Sequence, residues 1–332
     1  MPAQKKRKQT KKKSAAGKTA LYSFLTIAAL ITLLLIVMYV NARTVHVRYT
    51  TVRLRDLPES FNGVRILFVT DVDMLGTNTA GSATALMDRL QALHPDMLLL
   101  GGDYASPSLF ERLNSGDGQA GSALERQINA RSAWIHSLAA YNAPMGKYAV
   151  AGEADLVPES LRVAMEAAGV NLLEDEYVVL SRGNDRIGLV GLRETGTEMR
   201  NLSPIAGKVH PEDCVLVLAH NPAAFVNIQT AEAEGGGSWA DLVLSGHTHG
   251  GQINLLGRSA LTLQEYEQKY LSGWRREGET VLLTSNGVGC TGANLRLNAP
   301  AEVHLITLIR GEPPSEGAGE FSPPNGESHW SP

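Results

Sequence analysis

The first 18 residues contain no Asp or Glu, and the whole chain of 332 residues contains only two cysteines. Cys214 and Cys290 cannot make a disulfide framework, and a chain of this length does not need one. Two unpaired buried thiols are expected, with a single bridge as the alternative. The sequence carries no internal repeat. Its charged fraction of 19% and hydrophobic fraction of 43% are ordinary for a globular protein. The formal net charge of −4 conceals an asymmetry, because residues 1–18 hold eight Lys and Arg. Downstream of them 22 basic residues face 34 acidic ones, a balance of −12. A body that acidic is unsuited to nucleic acid, so no nucleic-acid partner is expected.

The basic cluster has a different explanation. Ala20–Val40 is a run of 21 residues without a charge, rich in Leu, Ile, Val and Ala. As a helix rising about 1.5 Å per residue it spans roughly 30 Å, the thickness of a bilayer core. Lys5, Lys6, Arg7, Lys8, Lys11, Lys12, Lys13 and Lys18 all precede it. The positive-inside tendency then keeps the N-terminus cytoplasmic and places the rest of the chain outside the cytoplasmic membrane, with the lipid bilayer as a partner. A cleaved signal peptide would have a shorter apolar region, about 7–15 residues, ending in a small-x-small site. Asn41-Ala42-Arg43 is a poor cleavage site, so an uncleaved single-pass anchor is expected. The chain divides into a basic tail (1–19), an anchor (20–40), a connector (41–60), a globular domain (61–310) and a tail (311–332). That last segment is rich in Pro, Gly, Ser and Glu and is expected to be disordered, and Asn114–Ser122 reads as a flexible loop.

From Val64 onward short apolar runs end in polar clusters, with amphipathic stretches between them. Val64–Thr70 ends at Asp71, Met97–Leu100 at Gly101-Gly102-Asp103, and Lys147–Ala151 at Gly152-Glu153-Ala154-Asp155. Val215–Ala219 ends at His220, and Leu242–Leu244 at Ser245-Gly246-His247-Thr248-His249. These read as buried strands with functional groups at their carboxyl ends. Thr84–Leu93, Leu124–Ala140 and Glu159–Ala168 have helical spacing, and Pro158 suits the first turn of the third. Val45–Tyr49 alternates as an edge strand would. Tyr177–Leu180, Ile187–Leu192, Val281–Thr284 and Val303–Ile309 look like strands of a second sheet. The class is α/β.

Carboxylates and imidazoles gathered on one rim of a sheet are the materials of a metal site. Each residue alone has an ordinary alternative: Asp71 or Asp73 as a helix cap, Asp103 in a glycine turn, His220 as a hydrogen-bonded core histidine. Five successive strands ending this way outweigh those alternatives.

The order Asp71-Val72-Asp73, Gly102-Asp103, Gly152-Glu153-Ala154-Asp155, Ala219-His220 and Gly246-His247-Thr248-His249-Gly250-Gly251-Gln252 resembles the calcineurin-like metallophosphoesterase superfamily. Its small bacterial membrane-anchored branch is resembled as well in Gly287-Val288-Gly289, Leu295-Arg296-Leu297 and Pro300-Ala301-Glu302-Val303. The likeness covers roughly residues 60–310. It implies a four-layer α-β-β-α sandwich of two mixed sheets, preceded by one transmembrane helix. It also implies two metals at the strand ends that clamp a phosphate and generate hydroxide for in-line attack. Carried over by position, Asp71, Asp103 and His249 hold the first metal, Asp103 bridges, and His220 and His247 hold the second.

Three positions depart from the family pattern of D-x-H and G-N-H-D. Asp73 stands for a histidine of the first metal, and Glu153 for an asparagine of the second. Ala154 stands for the histidine that assists the leaving group, and Asp155, its usual partner and the candidate catalytic residue, remains. Asp73 and Glu153 still offer oxygen ligands. The expected cofactor is therefore one or two divalent ions, with Mn, Mg, Fe or Ca favoured over Zn. Losing a positioned general acid removes about 10²–10⁴-fold in rate. The expected function is hydrolysis of a phosphomonoester, phosphodiester, pyrophosphate or lipid-linked phosphate outside the cytoplasmic membrane. The alternative is a catalytically weakened, membrane-tethered binding module for metal or phosphoryl ligands.

Overall fold

The structure is a computed structural model describing residues 2–76, 78–106, 120–255, 258–259, 265–312 and 327–330. The chain forms two compact units that divide between Val40 and Asn41. The first is carried by helix α1, Pro2–Arg43. Its segment Lys18–Arg43 is long and apolar enough to cross a membrane. Leu21, Phe24, Ile27, Leu30 and Ile31 are all more than half exposed. An apolar surface of that extent calls for lipid or another apolar partner.

The second unit holds two large sheets. One has the order β15-β1-β14-β2-β3-β4-β5. Its strands are β1 (Val45–Leu54), β2 (Arg65–Val69), β3 (Met97–Leu100), β4 (Lys147–Ala149), β5 (Asn171–Leu172), β14 (Ala301–Arg310) and β15 (Glu327–Trp330). The other has the order β12-β13-β9-β8-β7-β6. It comprises β6 (Glu176–Arg182), β7 (Asp185–Leu192), β8 (Val215–Ala219), β9 (Leu242–Ser245), β12 (Gly273–Glu277) and β13 (Thr280–Thr284). A small ribbon pairs β10 (Asn254–Leu255) with β11 (Arg258–Ser259). Both large sheets mix parallel and antiparallel pairs.

Alternation along the strands sorts the side chains into three cores, because successive side chains in a strand point to opposite faces. Ile66, Phe68, Met97 and Leu99 join Leu216, Leu218, Leu242 and Leu244 in a cluster between the two sheets. Leu67, Val69, Leu98 and Leu100 face the other way, onto α2 (Ala80–Gln91), α3 (Ala120–Ser137) and α4 (Pro158–Ala167). Val215, Val217 and Val243 pack with residues of α5 (Ser203–Ala206) and α6 (Ala224–Thr230). Helix, sheet, sheet and helix make the four expected layers. Strands buried on both faces explain why their sequences are nearly continuous apolar runs.

Local chemistry fixes the helix starts. Thr79 caps α2 through a reciprocal box with Ser82. Pro158 opens α4, where its missing N–H costs nothing.

Three segments differ from expectation. Within the expected connector, β1 extends to Leu54 and pairs along its length with β14, so it is an integral strand of the sheet. β1 is not the edge strand expected either, since β15 pairs with Val45–Arg48. Of the tail expected to be disordered, residues 313–326 and 331–332 lie outside the described residues, while Glu327–Trp330 forms β15. The outer edge of β1 offers unpaired N–H and C=O groups that such a segment can satisfy. Of the loop expected at Asn114–Ser122, residues 114–119 lie outside the described residues and Ala120–Ser122 begin α3. Both cysteines are free and buried.

Candidate metal centre

β2, β3 and β4 run parallel to one another, and β8 runs parallel to β9. Their carboxyl ends therefore bring five loops to one rim, carrying Asp71, Asp73, Asp103, Glu153, Asp155, His220, His247 and His249. The backbone there is strained. Asp71, Asp73, Asp103, His247 and His249 have φ of 52°, 46°, 54°, 70° and 52°, in the left-handed region that non-glycine residues seldom enter. Loop-to-loop hydrogen bonds hold them: Asp71 N donates to Gly102 O, Asp73 N to Asp103 O, and His247 N to Asp71 Oδ1 at 2.9 Å. Close approach also explains two glycines. A Cβ at Gly246 would stand 2.2 Å from Asp71 Oδ2, and one at Gly152 would stand 2.2 Å from Asp103 Oδ1.

Two groups of donor atoms converge. Glu153, His220 and His247 offer atoms within 4.8 Å of one another, and so do Asp71, Asp103 and His220. Glu153 Oε2 lies 2.8 Å from His220 Nε2, and its Oε1 lies 2.8 Å from His247 Nδ1. Asp103 Oδ2 lies 3.5 Å from His220 Nε2. Yet His220 Nε2 and His247 Nδ1 are both buried without an aligned hydrogen-bond partner, and so is Asp73 Oδ2. Such atoms are costly to bury unless something else engages their lone pairs. Carboxylate and imidazole donors converging with unengaged lone pairs fit a divalent cation. His249 flanks the groups, its Nε2 lying 3.4 Å from Asp73 Oδ2 and 3.9 Å from Asp71 Oδ1.

Burial and neighbouring charge set the protonation tendencies. Burial pushes Asp71 up to about 6, with the His220 charge opposing and Asp103 adding. Burial, then Asp103 and Asp71, raises Asp73 well above the usual carboxylate range. Burial also works against the Glu153 charge, but His220 and His247 together outweigh it and hold the carboxyl far below its ordinary value. For His220 burial is outweighed by Asp103 and Glu153, which raise it well above the usual imidazole value. His247 is likewise pushed up to about 10, burial being overcome by Glu153 and Glu267. His249 goes the other way: burial, then the Arg296 charge, lowers it well below the usual value.

Asp155, the candidate catalytic residue, is engaged by backbone donors. Its Oδ2 accepts Asp103 N at 2.9 Å and Gly152 N at 3.0 Å, and its Oδ1 accepts Tyr104 N at 3.2 Å. Both oxygens are thus occupied by backbone donors, and the carboxylate fastens the Asp103 loop to the Glu153 loop. Ala154 N donates to Asp103 Oδ1 at 2.8 Å, and Ala154 O accepts from Gln127 Nε2.

The structure adds residues that sequence reasoning did not assign. Ser106 Oγ donates to Asp73 Oδ1. Arg296, fully buried, donates to Asn286 O and Ala299 O and stands against His249 Nδ1 at 3.4 Å. Glu267, on the short helix α7 (Glu265–Lys269), accepts Asn221 Nδ2 at 3.0 Å and contacts His247 Nε2 at 3.1 Å. Asn221 could have been flagged as the neighbour of His220, but Glu267 carries no motif. Beside the centre opens a cleft of about 570 Å³ lined by Glu153, Glu174, Arg193, Glu194, Thr197 and His247.

Three curated relatives are similar to this chain in sequence. Phosphodiesterase YaeI of Escherichia coli is 30% identical over 221 residues, 65% of this chain and 71% of that protein. The metallophosphoesterase YkuE of Bacillus subtilis is 23% identical and covers 81% of this chain and 87% of its own length. A zebrafish (Danio rerio) transmembrane protein with a metallophosphoesterase domain is 23% identical over 76% of this chain, which spans 54% of that protein. No protein-family model matches the chain.

Proposed function

The chain belongs to the calcineurin-like metallophosphoesterase superfamily, and on that footing we propose that it is a membrane-anchored, metal-dependent phosphoric ester hydrolase. The observation that carries this reading is the convergence of Glu153 with the unengaged nitrogens His220 Nε2 and His247 Nδ1 at the mouth of the cleft. Asp103, Glu153, His220 and His247 would hold one divalent ion. Asp71, Asp73, Asp103 and His249 would hold a second. Four of these seven side chains are carboxylates and three are imidazoles, a donor set that favours Mn²⁺, Mg²⁺, Fe²⁺ or Ca²⁺ over Zn²⁺.

A divalent ion bound there supplies Lewis acidity toward a phosphoryl oxygen and lowers the pKa of water. The protein's own contribution is positioning. His220 Nδ1 faces Gly101 O at 2.7 Å, and since a carbonyl only accepts, Nδ1 carries the proton and Nε2 is left to ligate. Asp103 is fixed through its N–H by Asp155 and through Oδ1 by Ala154 N. Ala154 has no proton to give a leaving group. The substrates best suited are therefore diesters and pyrophosphates whose leaving groups depart unprotonated, reached from the bilayer as lipid-linked phosphates. The eight basic residues ahead of the anchor support an N-terminus in the cytoplasm and a domain outside the cytoplasmic membrane.

The test uses the full-length chain in detergent, loaded with Mn²⁺ and offered an aryl phosphodiester, with and without a chelator. Cleavage that the chelator abolishes supports a hydrolase. Bound Mn²⁺ without turnover favours a binding module, the reading that Ala154 supports. A chain that holds no divalent ion overturns both.

A further inference from the structure

We propose that Glu267 is a positioning residue that fixes the ring of His247 so that Nδ1, and not Nε2, takes the metal; this rests on the metal-dependent reading above. His247 stands between two carboxylates. Its Nδ1 faces Glu153 at 2.8 Å and its Nε2 faces Glu267 Oε1 at 3.1 Å, and all three residues line the cleft. The second contact has hydrogen-bond geometry, and the first does not. A carboxylate oxygen has no proton to give, so the Nε2 contact is attractive only when Nε2 carries hydrogen. A ring whose one remaining proton lies on Nε2 presents its lone pair at Nδ1, toward Glu153 and His220. An outer carboxylate that orients a ligating imidazole also makes it more basic, and losing such a partner typically weakens metal binding about 10–100-fold.

The placement of Glu267 is itself held from three sides. The same Oε1 accepts Asn221 Nδ2 at 3.0 Å, which ties the carboxylate to the residue following His220. Thr248, between the two histidines of the loop, donates its hydroxyl to Leu271 O at 2.7 Å. Tyr270, buried just beyond α7, meets Phe225 of α6 edge-on at 5.3 Å. Glu267 is 5% exposed, so its carboxylate faces protein groups and not solvent. It thereby links the loops after β8 and β9, both of which supply nitrogen donors to the same centre.

The experiment uses the full-length chain, labelled with ¹⁵N-histidine, in detergent micelles with Zn²⁺ as a diamagnetic probe. Long-range ¹H–¹⁵N correlation should show His247 protonated at Nε2 and metal-shifted at Nδ1. Glu267→Ala should weaken Zn²⁺ binding about 10–100-fold by titration calorimetry. Glu267→Gln, which keeps an acceptor oxygen, should recover most of that loss and preserve the Nε2–H signature. Zn²⁺ bound with His247 protonated at Nδ1 overturns the assignment, even if the alanine variant fails to fold. So does a folded Glu267→Ala chain that binds Zn²⁺ as tightly as the wild type. A wild-type chain that binds neither Zn²⁺ nor Mn²⁺ instead overturns the metal-dependent reading on which this one rests.

Discussion

Glu153 Oε2 stands 2.8 Å from His220 Nε2, a nitrogen that is otherwise buried without an aligned partner. Family resemblance implies a neutral asparagine at position 153, so this contact joins a charge to a site that would not ordinarily carry one. Glu153→Ala should remove an oxygen donor from the group formed with His220 and His247, and elemental analysis should show bound Mn²⁺ falling by about one ion per chain. Glu153→Asn keeps an oxygen and should keep the ion. Equal metal in the alanine variant and the wild type would contradict the assignment.

Ala154 sits in the same loop with only a methyl group to offer. Ala154→His should raise kcat/KM on alkyl phosphodiesters, whose leaving groups need a proton, by about 10²-fold. On aryl diesters the gain should be much smaller, because the leaving group departs as the anion. Equal gains on both classes would show that the new imidazole does not act on the leaving group.

Asp155 should matter for stability more than for chemistry. Asp155→Ala would leave the N–H groups of Asp103, Gly152 and Tyr104 without their present acceptor. At about 1–3 kcal/mol for each buried donor left unsatisfied, and about 2–4 °C per kcal/mol for a domain of this size, the Tm of the full chain should fall by about 6 °C or more. An unchanged Tm with activity lost would restore the catalytic role read from sequence.

Asp241 gives a pH dependence far from the metal centre, at the opposite end of β9. Its Oδ2 accepts Val215 N at 2.7 Å, and burial pushes its pKa up to about 7, with Asp56 and Glu279 adding and Arg55 opposing. The folded state thus holds this proton more tightly than the unfolded state, where the value is about 3.9. The stability it confers is full below about pH 4 and is lost as pH rises toward 7, because the unfolded chain binds fewer protons there. Asp241→Asn should raise Tm at pH 8 and leave it nearly unchanged at pH 4, as read by thermal melts across that range. A lower Tm at pH 8 would show that the ionised form is the one the fold stabilises.

Sequence pattern revealed the parts of this molecule that are periodic or local. The runs that became β2, β3, β8 and β9 were legible because both faces are buried, and the residues after them because functional groups follow parallel strands. Pro158 marked the start of α4 within a residue. What was not legible depends on contacts between distant segments. Glu267 reaches Asn221 across 46 residues and His247 across 20, from a helix of five residues with no motif of its own. Asp155 was visible as an acid in the right loop, but the backbone N–H groups that surround it were not. β15 pairs with β1 across most of the chain's length, a contact that composition does not show.

The most direct test of the central claim is the Mn²⁺ content of the full-length chain, purified in detergent and measured by elemental analysis against a His220→Ala/His247→Ala double variant. One or two ions per chain in the wild type, with at least one lost in the variant, is the predicted result. A wild-type chain with no bound ion, or a double variant that holds as much as the wild type, would contradict it.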